Sequence, residues 1–305
     1  MTGISETILK DYMIRKTKDQ KNRFIDYMKS VFPELTVEED KKNRNLILGD
    51  PASAKVLLTA HYDTCVKMPF PNFITPTNFW LYLGYQLLIV VPFLLIMFLV
   101  RDVVFLLTRW EYGSLLAGYF AMMGAMYYLM MGGPANPWTA NDNTSGVITL
   151  VELYHAMPEN LREQVAFVFF DNEESGLLGS AAFVKKRKKE DLKQKLVLNF
   201  DCVSDGDHFL FVLNKPAMKQ YADNFRAAFA ATEKKDVLVE STAKAFYPSD
   251  QAKFPVNAAV AALNKSERWG LYMDKIHTDQ DRIFDTDNIA FLREGTIRLL
   301  EELLQ

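Results

Sequence analysis

The chain has 305 residues with 35 Lys and Arg against 38 Asp and Glu, a formal net charge of −3, and 49% apolar residues. That length allows one large domain or two small ones, and the near-neutral charge leaves no electrostatic footprint for nucleic acid. Only Cys65 and Cys202 are present, which excludes a disulfide scaffold and fits two reduced thiols better than one bridge.

The first residues, "MTGISETILKDYMIRKTKDQ", are polar and charged, without the apolar core and small-residue cleavage site of a secretory signal. "LTVEED" and "NLILGD" predict a hairpin at a sheet edge, and "KVLLTA" (55–60) predicts a buried strand. From Met68 to Val100 there is no charged residue, and the 22 residues Phe79–Val100 are almost wholly apolar. As a helix they would extend about 33 Å, close to the ~30 Å hydrocarbon core of a bilayer. A polar break, "RDVVFLLTRWEY", separates them from Gly113–Met131, 19 further apolar residues or about 28 Å of helix. Soluble core helices seldom run this long without charge. Phe79, Trp80, Tyr82, Trp110 and Tyr112 stand near the ends, as an interfacial belt requires. Pro92 predicts a kink of the kind a membrane tolerates. Together these features predict a transmembrane hairpin over 79–131, with spans at about 79–100 and 113–131. Gly113, Ala117, Ala121 and Ala125 form a small-residue stripe for close packing, on the first span or on a second copy in a homo-oligomer.

Beyond the hairpin the pattern alternates. "GVITLVELYHAM", "GLLGSAAFVKKRKK", "PAMKQYADNFRAAFAA" and "DNIAFLREGTIRLLEELL" predict helices. Between them "QVAFVFF" (164–170), "KLVLNF" (195–200) and "NAAVAAL" (257–263) predict buried strands. This order predicts an α/β sheet with helices on both faces. The hairpin interrupts a single soluble domain, residues 1–78 plus 132–305, because no repeat or low-complexity linker divides the chain. Two spans return the chain to its starting side. The missing signal and the unpaired cysteines place that side in the cytoplasm, although Arg101 and Arg109 in the connection outweigh Lys67 in the positive-inside count.

The strand "FVFF" ends in Asp171, Asn172, Glu173 and Glu174, a crowd of carboxylates that must meet positive charge. Other predicted strand ends supply His61, Asp63 and Asp201, while loops supply Asp142 and His277. Ligands of α/β sheets gather at the carboxyl ends of strands. Imidazole with carboxylate suits zinc, and manganese or cobalt less well. Two His and three carboxylates suffice for two ions that share one carboxylate, with adjacent glutamates dividing metal binding from proton transfer. Each piece alone has a plain alternative: a core histidine, a solvated turn, or a helix cap.

In order, "AHYDT", "ANDNTSGV", "NEESGLLGS", "LNFDCV", "YPSDQAKF" and "IHTDQD" resemble the successive signatures of metallopeptidase family 28. This is the zinc exopeptidase family of bacterial leucyl aminopeptidases, glutamate carboxypeptidase II and glutaminyl cyclases. The resemblance covers about residues 20–78 and 132–300. It implies a phosphorylase/hydrolase-like three-layer αβα sandwich with a mixed sheet and a pair of zinc ions. It further implies that Asp142 bridges the ions, that Glu174 and His277 complete one site, and that His61 and Asp201 complete the other. Glu173 resembles the general base and Asp63 the carboxylate that orients His61. The family's frequent "SDH" reads Ser249, Asp250, Gln251 here, leaving Asp250 and Tyr247 as candidate substrate contacts. The sequence thus predicts a membrane-anchored zinc aminopeptidase for short peptides. Glutaminyl cyclisation, hydrolysis of another amide, and a non-catalytic membrane scaffold on the same fold are the alternatives.

Overall fold

The computed structural model describes residues 1–304. Two helices lead the chain, α1 (Gly3–Asp11) and α2 (Lys18–Val31). Thr17 and Gln20 close α2 with a reciprocal capping box, which satisfies two of its free N–H groups. The edge hairpin β1 (Thr36–Asp40) and β2 (Asn43–Leu48) follows, then β3 (Val56–His61). After the long helices α3 (Phe79–Thr108) and α4 (Glu111–Tyr127) come α5 (Gly146–Ala156), α6 (Glu159–Arg162) and β4 (Val165–Phe170). Next are α7 (Leu178–Lys185), α8 (Lys189–Leu192), β5 (Leu196–Phe200), β6 (His208–Leu213) and α9 (Lys215–Ala228). The chain closes with β7 (Asp236–Ser241), β8 (Asn257–Ser266), β9 (Gly270–Tyr272) and α10 (Thr286–Leu304).

The nine strands form one mixed sheet in the order β1-β2-β4-β3-β5-β8-β6-β7, with β9 paired to β8. Strands β4, β3, β5 and β8 run parallel, and β2 and β6 flank them antiparallel. Alternation sends Val165, Phe167 and Phe169 of β4 to one face and Ala166, Val168 and Phe170 to the other. The first face packs on α1, α2, α5, α9 and α10; the second packs on α7, α8 and the segment around Phe254. The result is a three-layer αβα sandwich, as the resemblance implies. Strand β3 precedes the long helices, yet it pairs with β4 and β5, which follow them.

Three expected elements differ in the structure. The predicted helix over 176–189 breaks after Lys185, where Lys185, Lys186, Lys188 and Lys189 crowd like charge along one turn. The segment 101–112 is not a loop. Helix α3 continues through Arg101 and Asp102 to Thr108, because nothing in "RDVVFLLT" breaks a helix, and left-handed Arg109 ends it. The closest approach of the two long helices is at Ser114 and Gly118, the buried residues of α4, not at Gly113. A Cβ at Gly118 would meet the Met97 carbonyl at 2.4 Å, while one at Gly113 would strike the Trp110 ring.

Both α3 and the α4 region are long and apolar enough to cross a membrane, and each buries only 6% of its most apolar window. Leu88, Leu95, Leu99, Leu107 and Phe120 are exposed. The two ends of this insertion are clipped together at its base. Val66 bridges Ala135, the Lys67 N–H donates to the Pro134 carbonyl at 2.9 Å, and the Asn136 N–H donates to Cys65 at 3.1 Å.

Candidate metal centre and active site

Three adjacent parallel strands, β4, β3 and β5, stop at nearly the same level. His61 lies opposite Phe170, and Thr59 lies opposite Asn199. Their next residues therefore face one crevice: His61 and Asp63 after β3, Glu173 and Glu174 after β4, Asp201 after β5. Asp142 reaches it from the turn before α5, and His277 from the loop before α10, at a left-handed φ of 64°.

The five expected ligands converge. Asp142 presents Oδ1 at 3.3 Å from His61 Nε2 and Oδ2 at 3.1 Å from His277 Nε2. Asp201 Oδ1 lies 3.5 Å from His61 Nε2, and Glu174 Oε2 lies 3.5 Å from His277 Nε2. Ligand atoms held ~2.0–2.2 Å from a tetrahedral ion stand about 3.3–3.6 Å apart. Charge-assisted hydrogen bonds would be shorter, about 2.7–2.9 Å. The spacings fit an ion between His61, Asp142 and Asp201, whose ligand atoms all lie within 4.8 Å of one another, while His277 stands beside both the other Asp142 oxygen and Glu174. His61 Nδ1 lies 3.1 Å from the Asp63 carbonyl and donates to it, which leaves the Nε2 lone pair for an ion.

The electrostatics agree. Burial raises Glu173 well above the usual carboxylate range; His61 opposes this, and Glu174 and Asp250 add to it. Burial pushes Glu174 up to about 8, against the pull of His277 and with the repulsion of Asp142. Burial resists an imidazolium at His277, but Glu174 and Asp142 carry it up to about 9. At His61 burial is likewise overcome, by Glu173, Asp142 and Asp201, and the ring is raised well above its ordinary value. Glu174 Oε1 is also buried without a hydrogen-bond partner, as a carboxylate aimed at an ion would be.

Asp63 has a wider role than orienting His61. Its carboxylate stands 3.6 Å from His61 Nδ1, but accepts the Glu173 N–H at 2.9 Å and the Glu174 N–H at 3.2 Å. It sets the position of both glutamates. Asp171, counted among the crowded carboxylates, is met by Lys21 of α2, whose Nζ donates to it at 2.5 Å. Tyr247 and Asp250, the candidate substrate contacts, are both buried. Tyr247 is buried, and its hydroxyl donates to the Asp201 carbonyl at 3.0 Å. Asp250 is fully buried beneath the crevice, its oxygens without hydrogen-bond partners, and burial lifts it to about 7. Ser249 and Gln251 are tied to Asn199 of β5 at 3.1 and 3.2 Å, which draws the whole segment under the sheet edge.

Some supporting residues lie outside the expected set. Asp281 accepts the N–H groups of Asn141 and Asp142 at 2.7 and 3.0 Å, so it fixes the backbone at Asp142; its signal was the last Asp of "IHTDQD". Arg15, wholly buried, donates from Nε to the Tyr62 carbonyl at 2.5 Å and from a terminal nitrogen to Thr144 at 3.1 Å. Cys65 Sγ falls within 4.8 Å of the ligand atoms of Glu174 and His277. Burial first, then Glu174, raise its thiol well above the usual range. Replacing Asp281 with Ala frees the turn that aims Asp142. Zinc affinity then falls about 10–100-fold, read by titrating metal-free protein against a fluorescent chelator. Unchanged affinity would remove Asp281 from this role.

The description "Peptidase family M28" belongs to the family model that matches residues 123–298. No curated protein matches the chain. Among solved structures, the LapA aminopeptidase of Legionella pneumophila is 13% identical, with a TM-score of 0.55, over 98% of this chain and 68% of that one. Porphyromonas gingivalis glutaminyl cyclase is 16% identical, with a TM-score of 0.55, over 98% and 96%. LapB of Legionella pneumophila is 11% identical, with a TM-score of 0.52, over 98% and 70%. At these identities the likeness is one of fold.

Proposed function

The chain belongs to peptidase family M28 and is a peptidase-type hydrolase, and from that premise we propose a membrane-anchored exopeptidase with two zinc ions. The substrate is a short peptide cut at its amino end. One observation carries the reading: the Asp142 carboxylate turns one oxygen to His61 and the other to His277.

In this reading His61 and Asp201 hold one ion, Glu174 and His277 the other, and Asp142 both. Bound ions would polarise the scissile carbonyl and lower the pKa of water. The chain's residues do the rest. Asp63 holds the Glu173 and Glu174 backbones in place. Glu173 accepts the proton of the attacking water and delivers it to the leaving nitrogen. A ligand set sufficient for two ions favours hydrolysis over glutaminyl cyclisation, and over a scaffold that needs no metal.

Anchoring rests on the two long, exposed, apolar helices. The free, buried Cys65 and Cys202 support a cytoplasmic site. The test is a peptide-library digest read by mass spectrometry, with and without a chelator. Residues are released one at a time from the amino end, the chelator stops this, and zinc restores it. Release from the carboxyl end would reverse the end specificity, and turnover indifferent to chelation would sink the zinc reading.

A further inference from the structure

We propose that the site also takes amphipathic amides bearing a linear aliphatic chain, and that this chain lies between α3 and α4 while the amide reaches Glu174 and His277. This rests on the hydrolase reading above and adds the class of substrate.

A cavity of about 570 Å³ joins the long helices to the candidate metal centre, within the size range of small-molecule pockets. Its walls are mostly apolar, with Ile89 and Phe93 from α3 and Met123, Met126 and Met130 from α4 and the turn after it, and with Asn72 and Gln86 as polar exceptions. Phe93 is the one buried residue of α3, so this is the side the helix turns inward. The floor is Glu174, Ser175 and His277, two of them candidate ligands. Glu174 Oε1, buried and unpartnered, sits at the point where an apolar chain would give way to a reacting amide. Thioether side chains adapt to flexible ligands, so a methionine-lined wall suits an alkyl chain.

The polar end has its own space. A second cavity of about 220 Å³ shares Tyr127, Met130, Glu174 and Ser175 with the first and is bordered by Lys16 and Lys21. Lys21 is engaged by Asp171 and Asn172, while Lys16 is half-buried at the rim. The apolar and polar spaces meet at Glu174 and Ser175. A molecule with a chain on one side of its amide and a polar group on the other matches both. Its hydrolysis is balanced by water alone: the C–N bond breaks, the hydroxyl goes to the carbonyl carbon, and the proton goes to the leaving nitrogen.

The experiment uses the full chain in lipid nanodiscs, loaded with zinc, and two series of amides with chains of two to twelve carbons. One series carries the chain on the acyl side, the other on the amine side. In one series kcat/KM rises about fourfold per added methylene until the cavity is filled. Partition into the bilayer alone would give the same slope in any variant, so the readout is the long-to-short ratio. That ratio drops at least tenfold in Ile89→Trp and in Met126→Trp. A flat series, or ratios equal in the wild type and both variants, overturns the proposal. Turnover of short peptides with none of the chain-bearing amides also overturns it and leaves the hydrolase reading standing. No turnover of any amide sinks that reading instead. Photolabelling of the unmutated chain then decides the binding claim alone. An amide with a diazirine at the chain end marks residues 79–108 and 123–131, and unlabelled amide displaces it. Displacement by phospholipid but not by the amide means that bilayer tails fill the cavity, against the proposal.

Discussion

Glu173→Gln lowers kcat at least ~10²-fold while both zinc ions remain bound. Glutamine keeps the shape of the side chain and loses only the ability to accept a proton. The two adjacent glutamates are separable because their surroundings differ. Glu174 stands 3.5 Å from His277 Nε2. Among the described residues, the Glu173 carboxylate makes no ion pair, and Asp63 holds only its backbone N–H, at 2.9 Å. On the proposed reading Glu173, which lies within 4.8 Å of the ligand atoms of His61 and Glu174, would be the carboxylate left free to move a proton. The measurement pairs kcat on a short peptide with zinc content by elemental mass spectrometry. Full activity would end the role of Glu173 as base, and loss of metal would make it a ligand.

The sheet was legible where strands are buried on both faces. "KVLLTA", "QVAFVFF" and "KLVLNF" are short apolar runs that must be central, and their carboxyl ends carry His61, Glu173 and Asp201. Asp142 and His277 lie on irregular backbone, and no periodicity points to them; the ordered motifs of the family did. Strand β6, "HFLFVL", has the same apolar signal as its neighbours but was passed over behind the polar "DCVSDGD". Helix α2 had a readable capping box at Thr17 and Gln20, and Phe24, Ile25 and Met28 at helical spacing. Its cations Arg15 (just before it) and Lys21 could not be told from solvated charge, because what buries them is contact with Tyr62, Thr144 and Asp171, far away in sequence. The turn between the long helices was misplaced for a related reason. Charge begins at Arg101, but a helix with no breaker carries an Arg and an Asp past the apolar core.

Asp142→Ala removes metal from both sites at once and lowers kcat/KM by at least ~10³-fold, more than removal of any other single ligand. Each terminal ligand serves one histidine: Asp201 lies beside His61, and Glu174 beside His277. Asp142 alone faces both, at 3.3 and 3.1 Å. Without it each ion keeps two protein ligands, one fewer than a catalytic zinc site normally uses. Burial opposes the charge of Asp142, but the neighbouring His277 and His61 hold its carboxyl below the usual carboxylate range. Alanine takes away that negative charge from between the two histidines. The fold should survive, since the N–H groups of residues 141 and 142 stay on Asp281 and the core of α5 is untouched. Zinc titration separates the shared from the unshared case. A bridging Asp142 leaves no tight site in the alanine variant, and Asp201→Ala leaves one. One tight site remaining after Asp142→Ala would mean that the two ions do not share this carboxylate.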